Sequence, residues 1–413
     1  MMREELFVAG VGMTKFGKWP NRSVKDLSRE AVEAALADAD CAAGEIEAAF
    51  FSTAAQGAFD GQFMVPGQLA LRPLGLGGIP IVNVENACAS ASTAFYLACM
   101  QLLAGEAEVA IVVGVEKMHA PNPELAFMAL NGAWDVAKVD ATLAGLGRLR
   151  GGLHAPPGDA SPKSVFMEIY AALAAQHMRL YGSIPRQFAA VAAKNHGHSV
   201  HNERAQFRRP FTVDEVLAGR PVAWPLTVPM CAPISDGAAA AVLCRRSALH
   251  RFRASRSVLV RACVLASGSD RLPDDVDRHL TRLAAKRAYE RAGIGPSDIS
   301  VAEVHDATAV GEVIQIENLG LCEPGGGGIA AEQGETQLGG RIPVNPSGGL
   351  ECKGHPIGAT GLGQIYELVS QLRGDCGARQ VDEARFGIAE NGGGFHGSEE
   401  AAACVTILER VAP

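Results

Sequence analysis

Short apolar segments alternate with helical patterns from the first residues of this chain, and the alternation runs twice. Strand-like stretches at 6–11, 46–52, 81–84 and 108–114 are separated by helical patterns at 24–37, 63–71 and 95–103. A second series starts at 257–266 and continues through a helix at 284–292, a strand at 299–304 and a helix at 310–319. It ends with a helix at 362–372 and a strand at 385–389. Buried strands interleaved with helices specify a largely parallel sheet covered by helices. The same order of elements in both halves predicts a duplicated α/β core. A chain of 413 residues also exceeds what one hydrophobic core organises.

Between the two series, 119–162 dissolves into Pro, Gly and isolated charges, which predicts a long excursion from the sheet. Helical patterns return at 163–180 and 185–201, and 236–244 (DGAAAAVLC) reads as the strand that rejoins the core. The expected units are 1–118 with 236–256, an inserted region at 119–235, and 257–413.

Charge and cysteine usage narrow the function. Lys and Arg total 37 against 45 Asp and Glu, a net charge of −8, so no basic field for gripping nucleic acid is expected. Ten cysteines are scattered without a CxxC pair or clustered histidines, so neither a zinc ribbon nor a disulfide framework is legible and no metal site is expected. Reduced thiols point to the cytoplasm. The start MMREELFVAGVGM reads as a strand and not as a signal peptide. No stretch reaches about 18 uninterrupted apolar residues, so no membrane span is expected. The chain ends Val-Ala-Pro, without a peroxisomal tripeptide.

Four blocks carry residues suited to chemistry. Cys88, in VENACASASTAF, sits where a strand gives way to a helix through small residues. A sulfur at a helix N-terminus is favoured as thiolate, although a buried structural cysteine is the ordinary alternative. His355, in NPSGGLECKGHPIGATG, lies among five glycines and two prolines, a constrained turn in which a histidine can deprotonate a thiol. His305 and Asp306 follow the strand SVAEV, where ligands of parallel sheets bind; the histidine could equally cap the next helix, and Glu312 could face solvent or the interior. The run 390–397, ENGGGFHG, follows the strand RFGIA, and its glycines would expose backbone amides suited to an oxyanion. No GxGxxG with its following helix and acid, and no GxxxxGK[ST], is present.

In this order the blocks resemble the thiolase superfamily, especially its sterol-carrier-protein-type or lipid-transfer-type branch. The match also includes YGSIPRQFAAVAAKNHGHSVHN and PLTVPMCAPISDGAAAAVL in the excursion and its return. The resemblance implies two βαβαβαββ halves packed as a five-layer α/β/α/β/α sandwich, an inserted loop domain that binds coenzyme A and substrate, and at least a dimer. It implies that Cys88 carries an acyl group as a thioester, that His355 activates it, and that Asn345 or His305 holds an oxyanion. Backbone amides near Cys88, Gly393 and Gly394 would form the other oxyanion hole. Coenzyme A would be a substrate and no cofactor is implied; its phosphates would meet basic residues such as Arg204, Arg208 or Arg209. The acyl pocket would draw on Phe127, Met128, Trp134, Phe166 and Phe395.

One departure bears on activity. Relatives of this branch read HDCF where this chain has His305-Asp306-Ala307-Thr308, and other thiolases carry the second cysteine as CxGGG, where this chain has Glu390. A methyl group cannot shuttle a proton. Glu390, its pKa raised by an apolar acyl pocket, is the expected replacement base, with His396 second; pairing with Arg385 is the plain alternative. The leading expectation is a thiolase-type acyl-CoA C-acyltransferase. A retro-aldolase acting on a steroid or aromatic side-chain CoA ester, and an acyl- or lipid-binding protein with a degenerate site, are the rivals. A small OB-fold partner bearing a zinc ribbon is a further expectation from the branch.

Overall fold

The computed structural model describes residues 4–120, 122, 124–153 and 165–411. The first half runs β1 (Leu6–Met13), α1 (Val24–Ala39), β2 (Ala48–Ser52), α2 (Pro66–Leu71), β3 (Ile81–Val84), α3 (Ser90–Ala104) and β4 (Val109–Lys117). The chain then leaves the sheet for α4 (Glu124–Asn131), α5 (Val139–Arg150), α6 (Val165–Tyr181) and α7 (Pro185–Ser199), and returns as β5 (Asp236–Arg245). The second half comprises β6 (Val258–Ser267), α8 (Leu280–Ala292), β7 (Val301–Glu303), α9 (Ala309–Asn318), α10 (Thr360–Arg373), β8 (Phe386–Gly393) and β9 (Ala402–Arg410), with short helical turns between them.

Nine strands form one sheet in the order β3-β2-β4-β5-β1-β6-β9-β8-β7. Its two halves meet at a seam in which β1 pairs antiparallel with β6 over Leu6–Val8 only. Outward from that seam the halves repeat the same order of equivalent strands. The strand that would match β3 is reduced in the second half to a single parallel bridge between Ala302 and Val344. The duplication expected from the order of elements is therefore present, with one position nearly lost.

Between the halves lie α3 and α10. Ala91, Phe95 and Leu102 of α3 and Leu362, Ile365 and Leu372 of α10 share a buried cluster with Val112 and Leu243 of one half and Ala389 and Cys404 of the other. Helix α1 covers the outer face of the first half and α8 with α9 that of the second, which completes five layers. The start of α1 is set by a capping box in which Ser23 and Asp26 bond each other's backbone amides. Glycines in β1 let it settle close, because a Cβ at Gly12 would stand 2.2 Å from the carbonyl of Ala31. Among the described residues, the one stretch long and apolar enough to cross a membrane is 87–104, which holds α3 in that central layer.

Two expectations need correction. The region 119–162, read as irregular, contains α4 and α5; Gly145 and Gly147 obscure the second, which ends at Gly151 in a left-handed conformation. Residues 121, 123 and 154–162 of that region lie outside the described residues. The strand expected at 385–389 continues to Gly393, because β9 pairs with it as far as Gly393–Ala402. Glu390 and Asn391 are thus strand residues, and only Gly394 onward forms the loop.

Candidate active site

The turn that presents Cys88 is strained. Ala87 takes φ 48°, a left-handed value unusual for a residue with a side chain, and its amide is held by Glu85 Oε1 at 2.7 Å. One helical turn then leads from Cys88 into α3. The strand β8 comes down on this turn so closely that a Cβ at Gly393 would stand 2.5 Å from both Ala89 N and Asn86 O. That approach brings the amide of Gly394 to the sulfur, beside the amide of Cys88 itself. The helix start was expected to favour the thiolate. Burial wins instead, pushing the thiol up to about 12, with the charges of Glu116 and Glu85 adding to it and the two amides opposing. A neutral thiol of this kind needs a base.

Two histidines reach it. One ring nitrogen each of His305 and His355 lies with Cys88 Sγ in a group whose atoms are all within 4.8 Å of one another. The imidazole planes stand at 82° with centroids 5.1 Å apart. His355 Nδ1 is 2.7 Å from Thr360 Oγ1, and that hydroxyl donates to the carbonyl of Pro356 at 3.1 Å. With the hydroxyl proton so placed, Nδ1–H of His355 donates to Thr360 and Nε2 carries the lone pair. Nε2 is buried and has no partner. His305 Nδ1 accepts from Asn391 Nδ2 at 3.0 Å, which leaves its Nε2 as the protonated nitrogen. Burial lowers the pKa of His305 to about 4, and burial together with His305 lowers that of His355, so both rings are neutral at neutral pH.

The remaining expected residues divide. Asn345, at φ 51°, accepts from Val304 N at 2.9 Å through Oδ1 and donates to Glu312 at 2.8 Å through Nδ2, so its amide braces the loop after β7 instead of facing a substrate. Glu312 faces inward, paired with Lys194. Glu390 is fully buried; one carboxylate oxygen accepts the amide of His305 at 3.0 Å and the other has no partner. Burial, Glu400 and Asp306 hold its carboxyl well above the usual range, and Arg385 pairs with Glu409, not with Glu390. Because strand side chains alternate, Glu390 lies on the opposite face of β8 from Asn391, which bonds Ser92 and His305.

Arg204 is committed elsewhere, bonding the carbonyl of Met13 and the hydroxyl of Tyr366 while its guanidinium covers the Tyr366 ring. Arg208 bonds the carbonyl of Val200 and Arg209 packs on Phe211, both on the surface. None of the three lines the cavity of about 640 Å³ at Cys88, which is walled by Phe63, Val65, Met128, Leu130 and Ile357 among others. Phe127 is exposed. Trp134, Phe166 and Phe395 join a buried cluster with Tyr170 and Ala307. Phe395 and His396 also border a second cavity of about 450 Å³ alongside Gly393 and Gly394.

Asn391, Thr360 and Tyr170 were not among the expected site residues. Tyr170 of α6 shares the cluster that holds Ala307. Burial raises the pKa of its hydroxyl, and Cys88, Glu400, Glu390 and Asp306 act in the same direction. Asn391 sits beside Glu390 in ENGGG and could have been weighed there; nothing local in the sequence marks Tyr170.

Family models cover nearly the whole chain, with the thiolase N-terminal domain matching residues 6–247 and the thiolase C-terminal domain-like model matching 270–410. The chain belongs to the thiolase family. It is 37% identical to sterol carrier protein 2 of Bos taurus over 94% of this chain and 70% of that one. It is also 37% identical to the acetyl-CoA acetyltransferase of Methanothermobacter thermautotrophicus over 98% and 100%, and 33% identical to the benzoylsuccinyl-CoA thiolase subunit BbsB of Thauera aromatica over 92% of each. In fold it matches a solved Ltp2-ChsH2(DUF35) aldolase with a TM-score of 0.78 at 23% identity, covering 99% of both chains. Human mitochondrial 3-ketoacyl-CoA thiolase in complex with CoA matches with a TM-score of 0.69 at 16% identity, covering 99% of this thiolase and 98% of that chain. The thiolase fold and a thiolase-family acyltransferase follow.

Proposed function

We propose that this thiolase cleaves a 3-oxoacyl-CoA with coenzyme A, or runs the reverse Claisen condensation, through an acyl thioester on Cys88. The observation that carries the reading is that a ring nitrogen of His355, whose Nε2 is buried without a partner, lies in one group with the sulfur of Cys88 and a ring nitrogen of His305. His355 Nε2 takes the thiol proton as the sulfur attacks the 3-oxo carbon. The oxygen that becomes negative lies against the amides of Cys88 and Gly394. The C2–C3 bond then breaks, its electrons pass to the acetyl-CoA enolate, and Nε2–H of His305 donates to the enolate oxygen. A proton must reach C2. Ala307 cannot deliver it, and Glu390, its carboxyl pKa raised by burial and one of its oxygens unpartnered, takes that part. Coenzyme A thiol then returns that proton to Glu390 and attacks the thioester, which frees Cys88 to recover its own proton from His355.

The protein would act as a homodimer. Strand β3 is the free edge of the first half; Phe63 and Val65, 75% and 50% exposed, share the wall of the Cys88 cavity with its Asn83 and Val84, and Met64 between them is 78% exposed. An open strand edge flanked by an apolar patch invites pairing unless it is covered. A separate OB-fold partner with a zinc ribbon stays part of the proposal, to be tested by co-expression.

Intact-protein mass after incubation with short, branched and aromatic acyl-CoAs tests the reaction. A gain of one acyl group that disappears in Cys88→Ser is expected. Ala307 also favours a second reading, a retro-aldolase or lyase. Absence of any adduct while CoA esters still bind would favour it over the acyltransferase.

A further inference from the structure

The three atoms proposed for acyl transfer are also a ligand set. Zinc prefers tetrahedral sites built from thiolate sulfur and imidazole nitrogen, and open sites use three protein ligands with a fourth position left to water or substrate. Cys88 Sγ and one nitrogen each of His305 and His355 supply that number and type of donors, all within 4.8 Å of one another. Cys88, His305 and His355 are 3%, 3% and 8% exposed, so the ring positions are fixed by packing and not by solvent. His355 Nε2 has no protein partner, and the Nδ1 of that ring is steadied by Thr360, the outer contact that orients metal-binding imidazoles elsewhere. The cavity at Cys88 leaves room for a fourth ligand.

We propose that this trio binds a Zn²⁺ ion, or another thiol-seeking divalent cation, in reversible competition with acylation. Binding exchanges one proton for the metal: Zn²⁺ joins two neutral imidazoles and the sulfur, the Cys88 proton leaves to solvent, and no oxidant or reductant takes part. Asn391 must accommodate the change. When Nε2 of His305 ligates the ion, Nδ1 carries the proton, so the Asn391 amide turns its oxygen to the ring and its nitrogen to Ser92 Oγ. That hydroxyl can accept because its own proton has the carbonyl of Ala89 at 3.0 Å. The consequence is an enzyme silenced by free zinc and restored by chelation.

The proposal shares its residues with the acyltransferase reading but is tested apart from it. Metal-stripped full-length protein is given one equivalent of ZnCl₂, desalted and assayed for bound zinc; a parallel sample receives CoCl₂ and is followed by absorption. Expected are one zinc per chain, a thiolate-to-cobalt charge-transfer band, and protection of Cys88 from alkylation as read by mass. Cys88→Ser should abolish the band, and His305→Ala should weaken zinc retention by more than about tenfold, the loss that even an outer contact can cause. Circular dichroism confirms that each variant is folded. If wild type retains no zinc, or Cys88→Ser retains it equally and wild type shows no thiolate band, the proposal is wrong. Acyl loading of the metal-free protein is measured separately, so its failure would remove the acyltransferase reading and leave the zinc result standing.

Discussion

The hydroxyl of Thr360 stands 2.7 Å from Nδ1 of His355 while it bonds the carbonyl of Pro356, four residues back on its own turn. One side chain thus fixes both the orientation of the imidazole and which nitrogen keeps its proton. Thr360→Val fills the same volume without the hydroxyl and leaves Nδ1 unsatisfied in the interior. Acyl loading of Cys88 should slow by about tenfold to a hundredfold. His355→Ala should slow it by about 10² to 10⁴, the usual range for a general base. Single-turnover loading followed by mass separates the two. Equal losses would mean that Thr360 does more than position the ring.

Gly393→Ala should be far more damaging than its size suggests. The added methyl meets two backbone atoms, Ala89 N and Asn86 O, at 2.5 Å, and neither can swing aside as a side chain would. Strand β8 must lift, taking the Gly394 amide away from the sulfur. Loss of one oxyanion donor costs about 10² to 10³ in rate, so turnover should fall by that order while CoA-ester binding survives. Wild-type turnover in a folded Gly393→Ala variant would show that the amide is not used.

The order of elements, and with it the duplication, was legible because buried strands and covering helices leave periodic patterns. The pairing of Cys88 with His355 was legible because each residue sits in a local glycine- or small-residue-rich turn. Asn391 and Tyr170 were not, since the groups they meet lie more than 80 residues away, and Asn345, named from the family resemblance, has its amide already held by Val304 and Glu312. Desolvation of Cys88 is likewise invisible locally: the helix start suggests a thiolate, and only the assembled layers show that burial overrides it.

Glu116 should make stability fall as pH rises. It is fully buried, and burial lifts its carboxyl from 4.5 to about 7, despite backbone amides of Ala54, Ala55 and Gly358 that oppose the shift. The folded state therefore holds a proton between those values that the unfolded chain has released, and stability from this group is lost as pH rises from 4.5 through 7. Urea denaturation of wild type and Glu116→Gln across roughly pH 5 to 8, a range that contains most of that interval, measures the difference. The variant should gain on wild type as pH increases. A constant difference would place the folded carboxyl at an ordinary pKa.

Phe63→Asp and Met64→Asp test the dimer. Both side chains are on the surface, 75% and 78% exposed in a single chain, and Phe63 also walls the mouth of the Cys88 cavity, so a charge there should leave the fold intact and split the assembly. Light scattering after gel filtration should show a dimer for wild type and monomer for the double variant, with melting temperature as the control for folding. A wild-type monomer would leave the apolar patch to another partner.

The source of the C2 proton can be decided with acetyl-CoA alone. Enolisation exchanges a methyl hydrogen for deuterium in heavy water without forming or breaking a carbon–carbon bond, so the rate reports the acid/base and not the nucleophile. Glu390 offers an unpartnered carboxylate oxygen, a raised pKa and a tie to the amide of His305, whose ring would hold the enolate oxygen. Tyr170 offers a phenol in the cluster that includes Ala307, and its own raised pKa makes it a weak acid and, once ionised, a strong base. Glu390→Gln keeps the shape and the accepting oxygen but cannot cycle a proton; exchange should fall by about 10² to 10⁴ while acylation of Cys88 from a donor acyl-CoA persists. Tyr170→Phe should change exchange by less than about tenfold. The opposite pattern, exchange lost in Tyr170→Phe and kept in Glu390→Gln, would transfer the acid/base role to the tyrosine and reduce Glu390 to the residue that holds His305 in place.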